Sequence, residues 1–171
     1  MNISVIITSC NRYEILERTV DSIFRNSLKP YECIIVDQSE DVVRMDSVLN
    51  IISSKYDIRI YRDSDKGVSR ARNIGGKIAK GDILAFLDDD AHADKNWLIS
   101  IRDTFSSGKF NIGIAGGKII PIFDEIDPDW KIPDQWKYML PSYDRGDYCG
   151  PYKENELPAG VSMAVPKKVF N

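Results

Sequence analysis

Four short apolar runs punctuate the first half of the chain: ISVIIT at 3–8, ECIIVD at 32–37, IRIYR at 58–62 and DILAFLD at 82–88. Each is rich in β-branched residues, too short for a buried helix, and bounded by polar residues, so each reads as a buried strand. Between them the apolar residues change to helical spacing. Tyr13, Leu16, Val20 and Ile23 mark a first helix to about residue 26, behind an Asn11–Glu14 pair with the spacing of a capping box. A weaker helical stretch runs from Val42 to Lys55, a third is VSRARNIGGKIAK at 68–80, and a fourth is DKNWLISIRDTFSS at 94–107. IGIAGGKII at 112–120 is expected to add a fifth strand. Strands that alternate with helices need right-handed crossovers, so the fold class is α/β, with a mainly parallel sheet and helices on both faces.

The 171 residues amount to about one domain. From Pro121 to Pro158 the texture changes to Pro, Asp, Trp and Tyr without a period, as in DPDWKIPDQW and LPSYDRGDYCGPY. Loops of that length in a compact domain are usually lids or binding surfaces. The chain therefore divides into an α/β core at 1–120 and a loop-rich segment at 121–171.

Composition narrows the chemistry. Lys and Arg total 23 against 26 Asp and Glu, a net charge of -3, which offers no basic field for nucleic acid; no nucleic-acid partner is expected. His92 is the only histidine, which excludes Cys/His zinc clusters and most His-paired nucleophiles. Catalysis must then rest on carboxylates, Arg or Lys, backbone amides or a metal. Cys10, Cys33 and Cys149 are an odd number without CxxC spacing and read as reduced thiols. The start MNISVIITS lacks a basic n-region and no apolar run nears 18 residues, so neither a signal peptide nor a membrane span is expected, and the reading is cytoplasmic.

In open parallel sheets ligands bind beyond the carboxyl ends of the strands. Here those ends are Thr8-Ser9-Cys10-Asn11-Arg12, Asp37-Gln38-Ser39, Asp63-Ser64-Asp65-Lys66-Gly67 and Asp88-Asp89-Asp90-Ala91-His92. A lone acidic residue after a strand is commonly a turn or a cap; four polar ends together point to a site. The Asp triplet follows the most apolar strand, where like charges about 4 Å apart repel by about 1 kcal/mol in water and by several in a cleft. A cation should balance it. Alternate residues of an extended segment point the same way, so Asp88 and Asp90 share a face while Asp89 turns away. Mg²⁺ or Mn²⁺ takes such oxygen ligands and completes its shell with water and substrate phosphates, which makes this D-x-D a diphosphate anchor. Gly67 opens a helix that carries Arg70, Arg72 and Asn73, so its N-terminus and one guanidinium suit phosphates. Gly76-Lys77 and Gly117-Lys118 lack the remaining P-loop residues, and no GxGxxG follows the first strand.

These segments resemble the inverting glycosyltransferases of family 2. VIITSCNR resembles that family's first strand and nucleotide-contacting turn, VDQSED its VDD-type segment, and KGVSRARNIGGKIAKGDILAFLDDDAHAD its central signature; PAGVSMAVPKKVF is similar to its G-A-N-M-A-F-R-R segment near the acceptor. The resemblance implies the GT-A (Rossmann-like) fold and metal-dependent transfer of a sugar from a nucleoside-diphosphate sugar donor to an acceptor hydroxyl, with inversion. It implies that Thr8, Asn11 and Arg12 line the nucleotide pocket and that Asp37 binds the base. Asp65 would lie by the base or ribose, Arg72 near the diphosphate, Asp88 at ribose and metal, and Asp90 would be the main ligand of Mn²⁺ or Mg²⁺; His92 is at most a weak addition. Gln38 stands where the family often has a second acid, and Val161-Ser162 where Ala-Asn is common.

The general base in this family is an Asp of an E-D pair some tens of residues after the G-A-N-M segment, so it is expected beyond Asn171. Asp144, Asp147, Glu154 and Glu156 read as surface or acceptor-loop groups. The sequence then reads as an N-terminal portion of a longer transferase, able to bind metal and nucleotide with little or no transfer. The resemblance further implies a saccharide or lipid-linked saccharide acceptor, polysaccharide biosynthesis, and peripheral association with the inner face of the membrane. Two other classes use the same acids: a D-x-D phosphatase, whose pair normally ends the first strand, and a non-catalytic nucleotide- or Mg²⁺-binding, receiver-like module.

Overall fold

A computed structural model describes residues 1–108, 111–123, 142–146 and 148–170. Its strands are β1 (Ile3–Ser9), β2 (Glu32–Asp37), β3 (Arg59–Arg62), β4 (Ile83–Asp88), β5 (Ala115–Gly116) and β6 (Ser162–Pro166). Its helices are α1 (Leu16–Phe24), α2 (Val42–Lys55), α3 (Val68–Ile78), α4 (Trp97–Ser106) and the single turn α5 (Lys167–Phe170). The described strands form one sheet in the order β3-β2-β1-β4-β6-β5. The first four are parallel, whereas β6 runs antiparallel to both β4 and β5.

The parallel half follows from residue type. β1, β2 and β4 are apolar at nearly every position because helices cover both faces. Val5, Ile7, Cys33, Ile35, Ala85 and Leu87 pack with Leu16, Val20, Met45, Leu49 and Leu98 on the α1–α2–α4 face. Ile6, Ile34, Val36, Leu84 and Phe86 pack with Ala71 of α3 on the other. Burying one such side chain contributes about 1.5–3 kcal/mol. α3 comes close enough to β1 that a Cβ at Gly75 would collide with Ile6, and one at Gly76 with the Phe170 ring. Burial raises the Cys33 thiol to about 12, which leaves it inert, and all three cysteines are free.

Several expectations change. Asn11 and Glu14 form no capping box: α1 starts at Leu16 without a side-chain cap, and Asn11 takes a left-handed φ of 60°. Its backbone N–H donates to Ser39 Oγ at 2.8 Å, while Glu14 pairs with Arg44, so both residues bind the neighbouring β2–α2 segment. α4 starts at Trp97 where residue 94 was expected, because Asp94 Oδ1 accepts the Asn96 N–H and holds 94–96 in a turn. Buried Asn26 then caps that helix, accepting the Leu98 N–H at 3.0 Å. The fifth strand shrinks from 112–120 to Ala115–Gly116, since the slot beside β4 is filled by β6, a strand the periodicity did not reveal. Within Pro121–Pro158, DPDWKIPDQW and Asp147 lie outside the described residues.

Candidate functional site

A cleft of about 290 Å³ opens beyond the carboxyl ends of β1, β2 and β4. It is lined by Thr8 and Ser9 at the end of β1, Cys10 and Arg12 of the β1–α1 loop, Asp88, Asp89 and Asp90 at and after the end of β4, and Gln38, Lys66, Gly67 and Val68. Register creates this grouping. Thr8 lies opposite Asp88, in the same alternating set as Ile6 and Phe86, so both face α3.

From α3, Arg72 Nη2 donates to Asp88 Oδ1 at 2.8 Å and to the Gly160 carbonyl at 3.0 Å. The Asp88 N–H donates to the Val161 carbonyl at 3.2 Å, so the loop before β6 closes the end of β4. Arg12 sits between the other two acids: its Nη2 donates to Asp90 Oδ2 at 3.2 Å, and its Nε lies 3.5 Å from Asp89 Oδ1. Asp89 also accepts the Cys10 N–H at 3.3 Å and is turned beneath the loop, its side chain 12% exposed against 29% for Asp88 and 48% for Asp90. Burial pushes the Asp89 carboxyl above its usual range, against the pull of Arg12 and the Cys10 amide. Asp88 and Asp90 are thus the open pair and Asp89 the sheltered member. His92 is exposed.

Of the residues singled out in the sequence, Thr8, Arg12, Asp88 and Asp90 converge on the cleft, with Arg72 behind Asp88. Asn11, Asp37 and Asp65 lie outside its lining. Asn11 Oδ1 accepts the Tyr13 O–H and the Glu40 N–H, tying two loops together. Asp37 is sealed, with its side chain 1% exposed; Oδ1 accepts the Ser39 N–H at 3.0 Å and Oδ2 lies 3.5 Å from Arg62 Nη1. Asp65 is exposed beside Arg70.

Two features were not apparent as partners in the sequence. One is the Gly160 carbonyl, whose only signal was the glycine of PAGVSMAV. The other is Gln38, whose amide joins Asp63, Asp65 and Gly67; a polar side chain directly after VD was its signal. Arg70 holds the Asp63 carboxylate down to about 2, donating from Nε at 2.7 Å and Nη2 at 3.0 Å. Gly67 adopts φ 143°, open to glycine, at the start of α3.

The chain matches known proteins along most of its length. A family model described as "Glycosyl transferase family 2" matches residues 4–162. The glucosyl-dolichyl phosphate glucuronosyltransferase of Haloferax volcanii is 28% identical over 174 residues, covering 99% of this chain and 54% of that protein. Among solved structures, S. aureus TarS 1-349 in complex with UDP-GlcNAc has a TM-score of 0.63 at 19% identity, covering 75% of this chain and 37% of that one. The mannosyltransferase PcManGT from Pyrobaculum calidifontis, in complex with GDP-Man and Mn2+, has a TM-score of 0.60 at 20% identity, covering 69% and 36%. The chain therefore spans about half the length of the Haloferax relative, and the likeness to the two solved structures shows a shared fold.

Proposed function

This chain belongs to glycosyl transferase family 2, and from that premise we propose that its cleft holds the nucleoside diphosphate of a sugar donor for transfer to an acceptor hydroxyl with inversion. The observation that carries the reading is the gathering of Thr8, Arg12, Asp88 and Asp90 at one cleft, with Arg72 hydrogen-bonded to Asp88. PcManGT and TarS are described as bound to GDP-Man with Mn2+ and to UDP-GlcNAc.

The residues suit a divalent cation shared with substrate. Asp88 and Asp90 are hard oxygen donors, both part-exposed and both already facing guanidinium groups, so the position favours positive charge. Among the described residues no group of three or more His, Cys, Asp or Glu is arranged to hold a metal. With two protein ligands, water and diphosphate oxygens must complete the shell, as Mn²⁺ or Mg²⁺ permits. Such an ion supplies charge neutralisation to the leaving diphosphate. Arg72 adds a second positive charge on the same side, and Arg12 is assigned to the phosphates once its carboxylates are otherwise occupied.

In the transfer itself, the acceptor oxygen bonds to the anomeric carbon as the bond from that carbon to the diphosphate breaks, and a carboxylate takes the hydroxyl proton. Asp144 and Glu156 are tied to Lys118 and Arg145, and we assign neither to that base. We assign Asn11 and Asp37 to the support of the loops around the cleft, and Asp65, exposed beside Arg70, to the support of the 63–67 loop. We assign residues 1–120 to the donor side and 121–171 to the acceptor side, with β6 lending the sheet its fifth position. The name of the Haloferax relative favours a lipid-linked saccharide acceptor, hence work at the cytoplasmic face of a membrane in polysaccharide assembly. No helix among the described residues is long and apolar enough to cross a membrane.

Calorimetric titration with UDP and with GDP in the presence of Mn²⁺ tests the reading. One nucleotide should bind, and Asp88→Asn and Asp90→Asn should each abolish most of that binding. Absence of binding by either nucleotide, with both variants indistinguishable from the parent, would sink it.

A further inference from the structure

Gln38 is a polar residue with only 5% of its surface exposed, and both of its amide donors and its amide oxygen are hydrogen-bonded. Nε2 donates to Asp63 Oδ2 at 3.0 Å and to the Asp65 carbonyl at 2.6 Å, and Oε1 accepts the Gly67 N–H at 3.0 Å. Its backbone is held as firmly: the N–H donates to the Ser9 carbonyl at 2.8 Å, and the carbonyl accepts from Cys10 Sγ at 3.3 Å. One side chain thus joins the end of β2 to three successive points of the β3–α3 loop. That loop carries Lys66 and Gly67, which line the cleft together with Val68, the first residue of α3.

We propose that Gln38 is a positioning residue, a latch that sets the 63–67 loop and the first turn of α3 against the nucleotide cleft, and that only a neutral amide fits it. The proposal deepens the nucleotide-binding reading and rests on it for its effect on affinity. The chemistry of the partners dictates the amide. Asp63 and the Asp65 carbonyl both accept, so position 38 must donate twice; Gly67 donates, so it must also accept. A glutamate of the same shape would lose both donors and set a second carboxylate against Asp63, which Arg70 keeps ionised. The charged groups around the site are Asp63, Asp65, Lys66 and Arg70, and Lys66 is already engaged by Glu40.

The test follows the Gly67 amide resonance of the ¹⁵N-labelled 171-residue chain, with affinity for Mn²⁺ plus UDP or GDP measured alongside, at pH 8 and pH 5. In Gln38→Glu the Gly67 amide should be displaced at pH 8 and the nucleotide should bind at least about 10-fold more weakly than to the parent. At pH 5 the protonated side chain donates once and accepts once, one donor short of the amide, so the resonance should move part of the way back towards the parent position and the affinity deficit, taken against the parent at that pH, should shrink without vanishing. Gln38→Met, which cannot donate at any pH, should stay displaced and weak at both. An unmoved Gly67 amide in either variant, or a deficit in Gln38→Glu that is equal at both pH values, would overturn the latch. Where Gln38→Glu does not fold, Gln38→Met decides by the same resonance. A parent chain that binds neither nucleotide would defeat the donor reading alone, because the Gly67 amide reports the latch without ligand.

Discussion

β2 and β4 both end in aspartate after an apolar run, yet the two carboxylates have opposite fates. Asp88 faces α3 and the open cleft, 29% exposed and held by Arg72. Asp37 is 1% exposed, paired with Arg62 and fixed by the Ser39 amide. The cause is pleat parity. Against the shared strand β1, Asp88 lies opposite Thr8 and Asp37 opposite Ser9, so the two side chains leave the sheet on opposite faces. On the Asp37 side, α2 and β3 supply Asp46 and Arg62, whose ion pair closes over the carboxylate. On the Asp88 side, Arg72 of α3 holds one carboxylate oxygen and the loop before β6 bonds the Asp88 backbone, which leaves the carboxylate part-exposed. A strand-end acid is left open to the cleft or sealed as a brace according to the face it occupies.

The largest expected effect separates the two directly. Asp88→Asn should lower the affinity for Mn²⁺ plus nucleotide by about 100-fold or more, with little change in thermal midpoint, since a part-exposed group that serves a ligand contributes little to folding. The parity argument breaks if calorimetry finds Asp88→Asn harmless. Asp37→Asn should do the reverse. It removes a buried charge-assisted contact and should cost about 1–3 kcal/mol in denaturant unfolding, with nucleotide affinity within about 3-fold of the parent. A collapse of affinity without loss of stability would mean that Asp37 reaches the base itself.

Arg12→Ala sharpens the open side. Without its guanidinium, Asp89 and Asp90 lose their counter-charge, so Mn²⁺ alone should bind about 3-fold more tightly while nucleotide in the presence of Mn²⁺ binds more weakly. Manganese paramagnetic resonance and calorimetry would read the two signs; a loss in both would assign Arg12 a purely structural part. The smallest effect concerns the third strand end. Asp63, depressed to about 2, stabilises the fold above the unfolded carboxylate pKa of about 3.9, and that contribution is lost as pH falls from about 4 through 2. Asp63→Asn should therefore flatten the fall of thermal midpoint across that window. An unchanged slope would remove Asp63 from the set of braces.

Much of this architecture was legible early because β1, β2 and β4 are buried on both faces and so are written as unbroken apolar runs. β6 was hidden: SMAVP is short, ends in proline, and pairs with β4, nearly eighty residues earlier in the chain, so local periodicity carries no sign of its partner. The Asn11–Glu14 pair misled for the related reason that side chains able to cap their own helix also bond to a neighbouring loop when one is close. At the site, the acids and Arg72 stood out by type and spacing. Gln38 and the Gly160 carbonyl did not stand out as partners, because each matters only through a segment distant in sequence that the fold brings against it.

What the sequence by itself determined was the alternation of strand and helix and the acid-rich strand ends with a single histidine among them, since these follow from residue type and near spacing. What only the tertiary structure decided was which strand-end acid faces the open cleft. A strand repeats every two residues, and the register against β1 sets the phase; that register is fixed by packing between segments tens of residues apart, where no local pattern reaches.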